Sequence, residues 1–334
     1  MEENKTEDLG VKNYVPQAVL LMPKERNIFK RMWHDIKRNW PYYLLFLVPF
    51  SVLFVFNFLP LVGMVVAFKD YNAFDGVFNS PFASPWYANF EDLFAEYYIW
   101  KTIRNTLLIS VLRLIICFPA PIFLALIINE IKVYKFKRVI QTILYLPNFL
   151  SWVILAGVFN RVLASGGETG MVNEIITALG GEEVEFLTDP VLYLFFLVFS
   201  DMWKNTGFAS ILYIAAIASA DVSPYEAAKI DGASRWKIMW YITVPVLIPT
   251  IVLQLILQIS NILEGGFTQI RQTYSPYVYE YGDIIDTYIY RTGLKSSGDY
   301  GVSSALGFFK SIIGFVLVLI TNKISDKLTG EGIF

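Results

Sequence analysis

The apolar positions of this chain come in blocks too long for ordinary soluble elements. Six of them, roughly Tyr42–Phe68, Arg104–Ile128, Ile140–Leu163, Val191–Ala220, Ile238–Leu263 and Val302–Ile320, are separated by polar and charged stretches. A helix needs about 20 mainly apolar residues to cross a hydrocarbon layer about 30 Å thick. Inside that layer every backbone amide must be paired within its own segment, which makes these blocks helices and not strands. The pattern predicts an all-α polytopic membrane protein of six transmembrane helices.

Charge in the connecting loops sets the expected orientation, because basic residues accumulate on the cytoplasmic side. Lys24, Arg26, Lys30, Arg31, Lys37 and Arg38 precede the first span, and Lys132, Lys135, Lys137 and Arg138 follow the second. The loop after span 1 carries Lys69 against Asp70, Asp75, Glu91, Asp92 and Glu96. The loop after span 3 has no basic residue and carries Glu168, Glu174, Glu182, Glu183, Glu185 and Asp189. Both termini are therefore expected in the cytoplasm. The organisation expected is a cytoplasmic segment over 1–40, poorly ordered over 1–23, a membrane domain over 41–322, and a cytoplasmic tail over 323–334 that holds Lys323 and Lys327. The first 40 residues lack the apolar core of a secretory signal.

Composition supports the bilayer: 55% of the 334 residues are hydrophobic and 17% charged. Soluble domains carry about 25% charged residues. A net charge of −2 makes no case for nucleic acid. The one cysteine, Cys117, has no partner for an intrachain disulfide, and the one histidine, His34, rules out histidine-based triads and three-histidine metal sites. His34 lies among basic residues before span 1, where a headgroup position explains it.

The loop between spans 4 and 5 is the most informative stretch. Ser223 is a good helix N-cap, Pro224 suits the first turn, and Glu226 three residues on completes a capping-box pattern. About two turns later Gly232 can take the left-handed conformation that ends a helix. Ser234 is placed to cap the helix leading into span 5, and Pro245 and Pro249 should bend or loosen it. The reading is a short, rigid, capped helix held between two spans. Ala227 and Ala228 offer close approach to another backbone, and Glu226, Lys229 and Asp231 offer charged handles. Such an element suits the transmission of a push from a cytoplasmic partner, or is simply a well-capped connector.

Glu226, Ala227, Ala228, Asp231, Gly232 and Ala233, followed by Pro245 and Pro249, resemble the EAA motif of binding-protein-dependent ABC importer permeases. The resemblance extends over roughly residues 100–334. Gly282–Leu294 and the tail Ser325–Gly332 look like the LplB-like branch of sugar and polysaccharide permeases. The resemblance implies a type I importer fold in the bacterial cytoplasmic membrane, working by alternating access. It implies that the loop over 223–236 is a coupling helix docking on an ATPase, with Ser223, Tyr225, Glu226, Ala227, Ala228, Asp231, Gly232, Ala233 and Trp236 at the contact. It further implies a second homologous permease, two ATPase subunits holding ATP and magnesium, and an extracellular or periplasmic sugar-binding protein. The chain itself carries no Gly-x-x-x-x-Gly-Lys-Ser/Thr phosphate cradle, so no cofactor is expected on it and the hydrolysis is expected elsewhere.

Ionisable residues at membrane depth usually face a bundle interior or a water-filled path. Asp201 and Lys204, followed by Asn205, stand at i,i+3 in span 4 and can neutralise each other. Gln254, Gln258 and Asn261 in span 5 share one helix stripe, suited to sugar hydroxyls or to interhelical hydrogen bonds. Lys310 in span 6 and Arg113 in span 2 are further interior candidates, or pair with neighbours. Between spans 5 and 6, residues 264–301 read as a long loop rich in tyrosine. Tyr274, Tyr277, Tyr279 and Tyr288 are candidates for contact with sugar or its binding protein, unless they form an interfacial belt. Ile284, Ile285, Tyr288 and Ile289 have the spacing of an interfacial amphipathic helix. Two other functions remain open from the residues: an ion-gradient transporter, for which Asp201 is the one carboxylate clearly inside a span, and a membrane enzyme resting on Asp283 and Asp286.

Overall fold

The computed structural model describes residues 28–166, 170–296 and 298–329. The expected disorder of 1–23, the basic residues Lys24 and Arg26, the acidic Glu168 and the tail past Thr329 lie outside the described residues. Among those described there is no strand, only an isolated bridge between Lys69 and Phe82.

The chain divides at Val62/Gly63 into two units. The first holds helix α1, Ile28–Leu53, whose backbone leaves helical geometry at Asn39 (φ −112°) two residues before Pro41. Pro41 has no N–H to return to the preceding turn and its ring crowds that turn, which loosens the helix just before it. A π-helical turn over Phe54–Phe58 continues the run.

The second unit is built on five long stretches. Helix α2 (Tyr97–Ile116) and α3 (Pro119–Asn129) form one apolar run. Helix α4 (Tyr134–Tyr145), a 3-10 turn over Leu146–Phe149, and α5 (Trp152–Val162) form a pair bent by 98°. Helix α6 (Pro190–Ala218) is bent by 76° from the short α7 (Ser223–Ile230). Helix α8 (Arg235–Ile238) leads through a π-helical turn (Met239–Thr243) into α9 (Val244–Ser260), and α12 (Tyr300–Thr329) closes the fold. Among the described residues four helical runs are long and apolar enough to cross a membrane, and up to six if each bent pair is one span. These runs and bent pairs fall on the apolar blocks read from the sequence. The π turn is the loosening expected of Pro245, since that residue has no N–H to return to the preceding turn.

The 264–301 segment is not a loop. It folds into α10 (Phe267–Thr273), a 3-10 turn (Pro276–Val278), a helical turn over Tyr279–Gly282 and α11 (Ile285–Ile289). The interfacial-helix expectation is corrected here. Ile284, Ile285 and Tyr288 are at most 4% exposed, because their stripe packs into the protein and not toward lipid. Ile285 and Tyr288 join Leu93, Ile99, Ala305 and Leu306 in one core cluster. Polar pairs lock the segment to α2: Asn105 Nδ2 donates to the Glu280 (2.9 Å) and Asp283 (3.1 Å) carbonyls, and Thr106 Oγ1 accepts from the Ile285 N–H at 2.9 Å.

Candidate functional site

Two places merit the name, and both belong to α6 and its continuation. The first is the 223–236 loop. Its helix α7 starts at Ser223, but Ser223 is not the cap. Asp221 Oδ1 accepts from the Ser223 N–H at 3.0 Å and from the Ser223 hydroxyl at 2.9 Å. The capping box read at Ser223 and Glu226 is absent, because the carboxylate two residues upstream is the stronger acceptor and uses the serine hydroxyl as a donor. Those two hydrogen bonds, the backbone one first, hold the Asp221 carboxyl below its usual range.

The other end behaves as expected. Gly232 lies at φ +72°, its N–H bonds to the Lys229 carbonyl at 3.2 Å, and the Ala233 N–H reaches back to the Ala228 carbonyl at 2.9 Å. That is a Schellman closure, with glycine in the left-handed position it needs. Ser234 Oγ then accepts from the Lys237 N–H at 3.4 Å and caps α8. Between these fixed ends the surface is bare. Ser223, Glu226, Ala227, Asp231 and Gly232 are exposed, Tyr225, Ala228 and Ala233 half-buried, and Ile230 and Trp236 are 86% and 71% exposed.

The second place is a cleft of about 620 Å³ between α3, α6 and α9. Asp201, Asn205, Gln254 and Gln258 all line it, so the structure joins residues from two of the stripes read in the sequence. Cys117, Thr206 and Tyr213 add polar or polarisable surface that sequence reasoning passed over, since nothing local marks them. Asn261 does not reach the cleft; it ends α9 and turns its Nδ2 to the Leu257 carbonyl at 3.2 Å.

Lys204 also leaves the cleft, which corrects the expected ion pair. With no direct ion pair to Asp201, it is 7% exposed and donates to the carbonyls of Asn148 (2.7 Å), Leu150 (2.8 Å) and Pro147 (3.4 Å). Those carbonyls lie at the break between α4 and α5, where the helix cannot satisfy them itself. Asn148 Nδ2 donates to Asn205 Oδ1 (3.1 Å), and Asn205 Nδ2 donates to Asp201 Oδ1 (2.9 Å). Gly207 lets α4 press against α6, as a Cβ there would collide with the Leu144 carbonyl. The break is thus stapled to the middle of α6.

Lys310 is committed to Asp286 at 2.6 Å and does not line the cleft. Arg113, 9% exposed, donates to Gln269 Oε1, whose amide in turn donates to Ser200 Oγ and the Leu197 carbonyl. Of the tyrosines, Tyr277 is 75% exposed. The rings of Tyr274 and Tyr279 meet at a tilt with centroids 5.1 Å apart, and Tyr279 lies under the Arg291 guanidinium at 4.4 Å. Tyr288 is buried and donates to Glu96 Oε2 at 2.6 Å, and with Glu96, Asp92, Thr292 and Asp299 it lines a smaller pocket away from the cleft. Burial first, then that carboxylate, pushes its phenol above the usual range. Asp283, fully buried, is occupied by Arg291 at 2.7 Å and by the Thr287 hydroxyl at 2.7 Å. With Asp283 bound to Arg291 and Asp286 to Lys310, both carboxylates of the enzyme alternative have structural partners.

A bundle of long apolar helices, with a cleft that holds Asp201, Asn205, Gln254 and Gln258 and an exposed loop closed at Gly232, suits a transport permease. Residues 117–329 match the family described as binding-protein-dependent transport system inner membrane component, and the chain belongs to that family. It is a multi-pass inner-membrane permease subunit of an ABC importer, and ATP hydrolysis is the work of a separate subunit. Protein LplB of Bacillus subtilis is 38% identical over 90% of this chain and 92% of its own length. The polygalacturonan/rhamnogalacturonan transport system permease protein YteP of the same organism is 38% identical over 88% and 90%. The crystal structure of a bacterial ABC transporter involved in import of the acidic polysaccharide alginate superposes with a TM-score of 0.81 at 39% identity, covering 90% of this chain and 99% of the other. A second structure of a bacterial alginate transporter, in complex with an alginate pentasaccharide-bound periplasmic protein, matches with the same score. A substrate-binding protein is accordingly a partner of this class of permease.

Proposed function

We propose that this chain carries a carbohydrate, an oligosaccharide or polysaccharide fragment, into the cytoplasm by alternating access. The observation that carries the proposal is that one helix, α6, presents Asp201 and Asn205 to an amide-lined cleft and runs directly on to the exposed handle over 223–236. A push on the handle is a push on the wall of the path. Gln254 and Gln258 suit sugar hydroxyls, each amide offering both donor and acceptor. The polysaccharide transporters among the relatives support this substrate class.

In this reading a second homologous permease completes the path. Two ATPase subunits, holding ATP and magnesium, grip Glu226, Ile230 and Trp236 from the cytoplasm. Nucleotide binding then favours one of two conformations, which demands that the grip differ in strength between them. An extracellular or periplasmic protein delivers the sugar. The ion-gradient alternative has Asp201 alone to rest on.

The test is reconstitution of the assembled importer in proteoliposomes. Uptake should stop without ATP, and Glu226→Lys should leave ATP hydrolysis running with uptake reduced tenfold or more. Uptake that survives ATP removal and collapses with an ionophore would overturn the proposal.

A further inference from the structure

We infer that Asp201 makes the cleft selective against anionic saccharides, so that the sugar carried is uncharged or bears amino groups, not uronates. The inference rests on the carbohydrate reading of the cleft and deepens it. The lining residues include one carboxylate, Asp201, and no lysine, arginine or histidine.

Two cations on neighbouring turns, Lys204 and Arg113, donate their hydrogen bonds to other partners and do not line the cleft. Lys204, one turn along α6, spends its ammonium on the carbonyls at the break between α4 and α5 and sits 5.7 Å from the Trp152 ring. Arg113 on α2 is committed to Gln269 and packs against Gly266. The polar groups that accompany Asp201 in the cleft are Cys117, Asn205, Thr206, Tyr213, Gln254 and Gln258, all uncharged side chains.

The carboxylate is also held in place. Asn205 Nδ2 donates to Asp201 Oδ1 at 2.9 Å, and Asn148 in turn donates to Asn205 at 3.1 Å. A fixed anion in the cleft favours ligands that donate hydrogen bonds, and amino groups above all. It opposes a second carboxylate. Two like charges about 6 Å apart in an effective dielectric of roughly 20–40 disfavour binding by about ten- to hundredfold. Binding of acidic polymers by relatives therefore does not transfer to this chain through the fold; it needs cations in the path that this cleft does not supply.

The experiment uses the assembled importer in detergent, without its binding protein, and equilibrium dialysis against two radiolabelled probes of equal length, galactotetraose and tetragalacturonate. The quantity read is the ratio of retained uronate to retained neutral sugar. It should be well below one for the unaltered complex, rise about ten- to hundredfold in Asp201→Asn, and return toward the original value in Asp201→Glu, which restores the charge. A ratio near or above one in the unaltered complex overturns the inference, because it would mean that cations from the second permease outweigh Asp201. An unchanged ratio in Asp201→Asn, or Asp201→Glu behaving like Asp201→Asn, overturns it as well. Retention of neither probe by a complex that still hydrolyses ATP would remove the carbohydrate reading itself, and the selectivity with it.

Discussion

Gly232 gives the sharpest test of the handle. Its φ of +72° is a conformation that an L-residue reaches at a cost of about 1–2 kcal/mol. A Cβ built at this position meets nothing within 4 Å, so the cost is conformational and not steric. At one to two kcal/mol the ratio of closed to frayed helix end falls by about 5–30-fold in Gly232→Ala. Gly232→Asn should fall less, because asparagine visits the left-handed region more readily. Gly232→Pro should be worst, since proline fixes φ near −65° and removes the N–H that bonds to the Lys229 carbonyl at 3.2 Å. The assay is the number of sugars moved per ATP hydrolysed by reconstituted complexes, matched for inserted protein. Coupling should decline in the order glycine, asparagine, alanine, proline. Alanine and proline variants that insert normally and couple as well as the parent would refute the view that a rigid closure at this point transmits the stroke.

Three further outcomes follow from the geometry. Lys204→Met should lower stability by about 2–3 kcal/mol, read as an earlier thermal melt in detergent, because it strands carbonyls at the break between α4 and α5; a melt within error of the parent would show that water satisfies them. Lys310→Met and Asp286→Asn, combined in a double-mutant cycle, should show a coupling of no more than about 1 kcal/mol, since both side chains keep about a fifth of their surface exposed. The Asp221 cap should be sensitive to acid. Its carboxyl is held below the ordinary value, so its support is present above the unfolded-chain value near 3.9 and is lost as pH falls through the lower folded value. The protection factor of the Ser223 amide, its rate relative to an unstructured peptide at the same pH, should fall in that acid window, and Asp221→Ala should abolish the protection at every pH.

How much of this was legible in the chain differs by element. The apolar blocks announced the long helices, since hydrocarbon leaves the backbone no other solution. The glycine closure at Gly232 and the serine cap at Ser234 were legible because both are local chemistry. Ser223 was misread because two good capping residues, Asp221 and Ser223, stand close together, and sequence does not say which one accepts. The 98° bend in the third span went unread, because the group that satisfies its carbonyls is Lys204, more than fifty residues away. The stripe of Gln254 and Gln258 survived into the structure; Asn261 dropped out because it falls where α9 ends and φ opens to −103°. The tyrosines of 264–301 suggested a surface, whereas Tyr288 meets Glu96 across 192 positions, a pairing that no local pattern encodes.

The staple between α6 and the break in the third span has a mechanical consequence. Asn205 lies thirteen residues before the end of α6 at Ala218, a lever arm of roughly 20 Å at the rise of a helix. Because Lys204, Asn205 and Gly207 clamp the neighbouring broken helix at that same level, the far end of the lever does not swing alone. A tilt of about 10° about the handle would carry the clamped point roughly 3–4 Å and take the elbow of α4 and α5 with it. Two walls would then shift as one part, with a single linkage where six separate rods would otherwise need six.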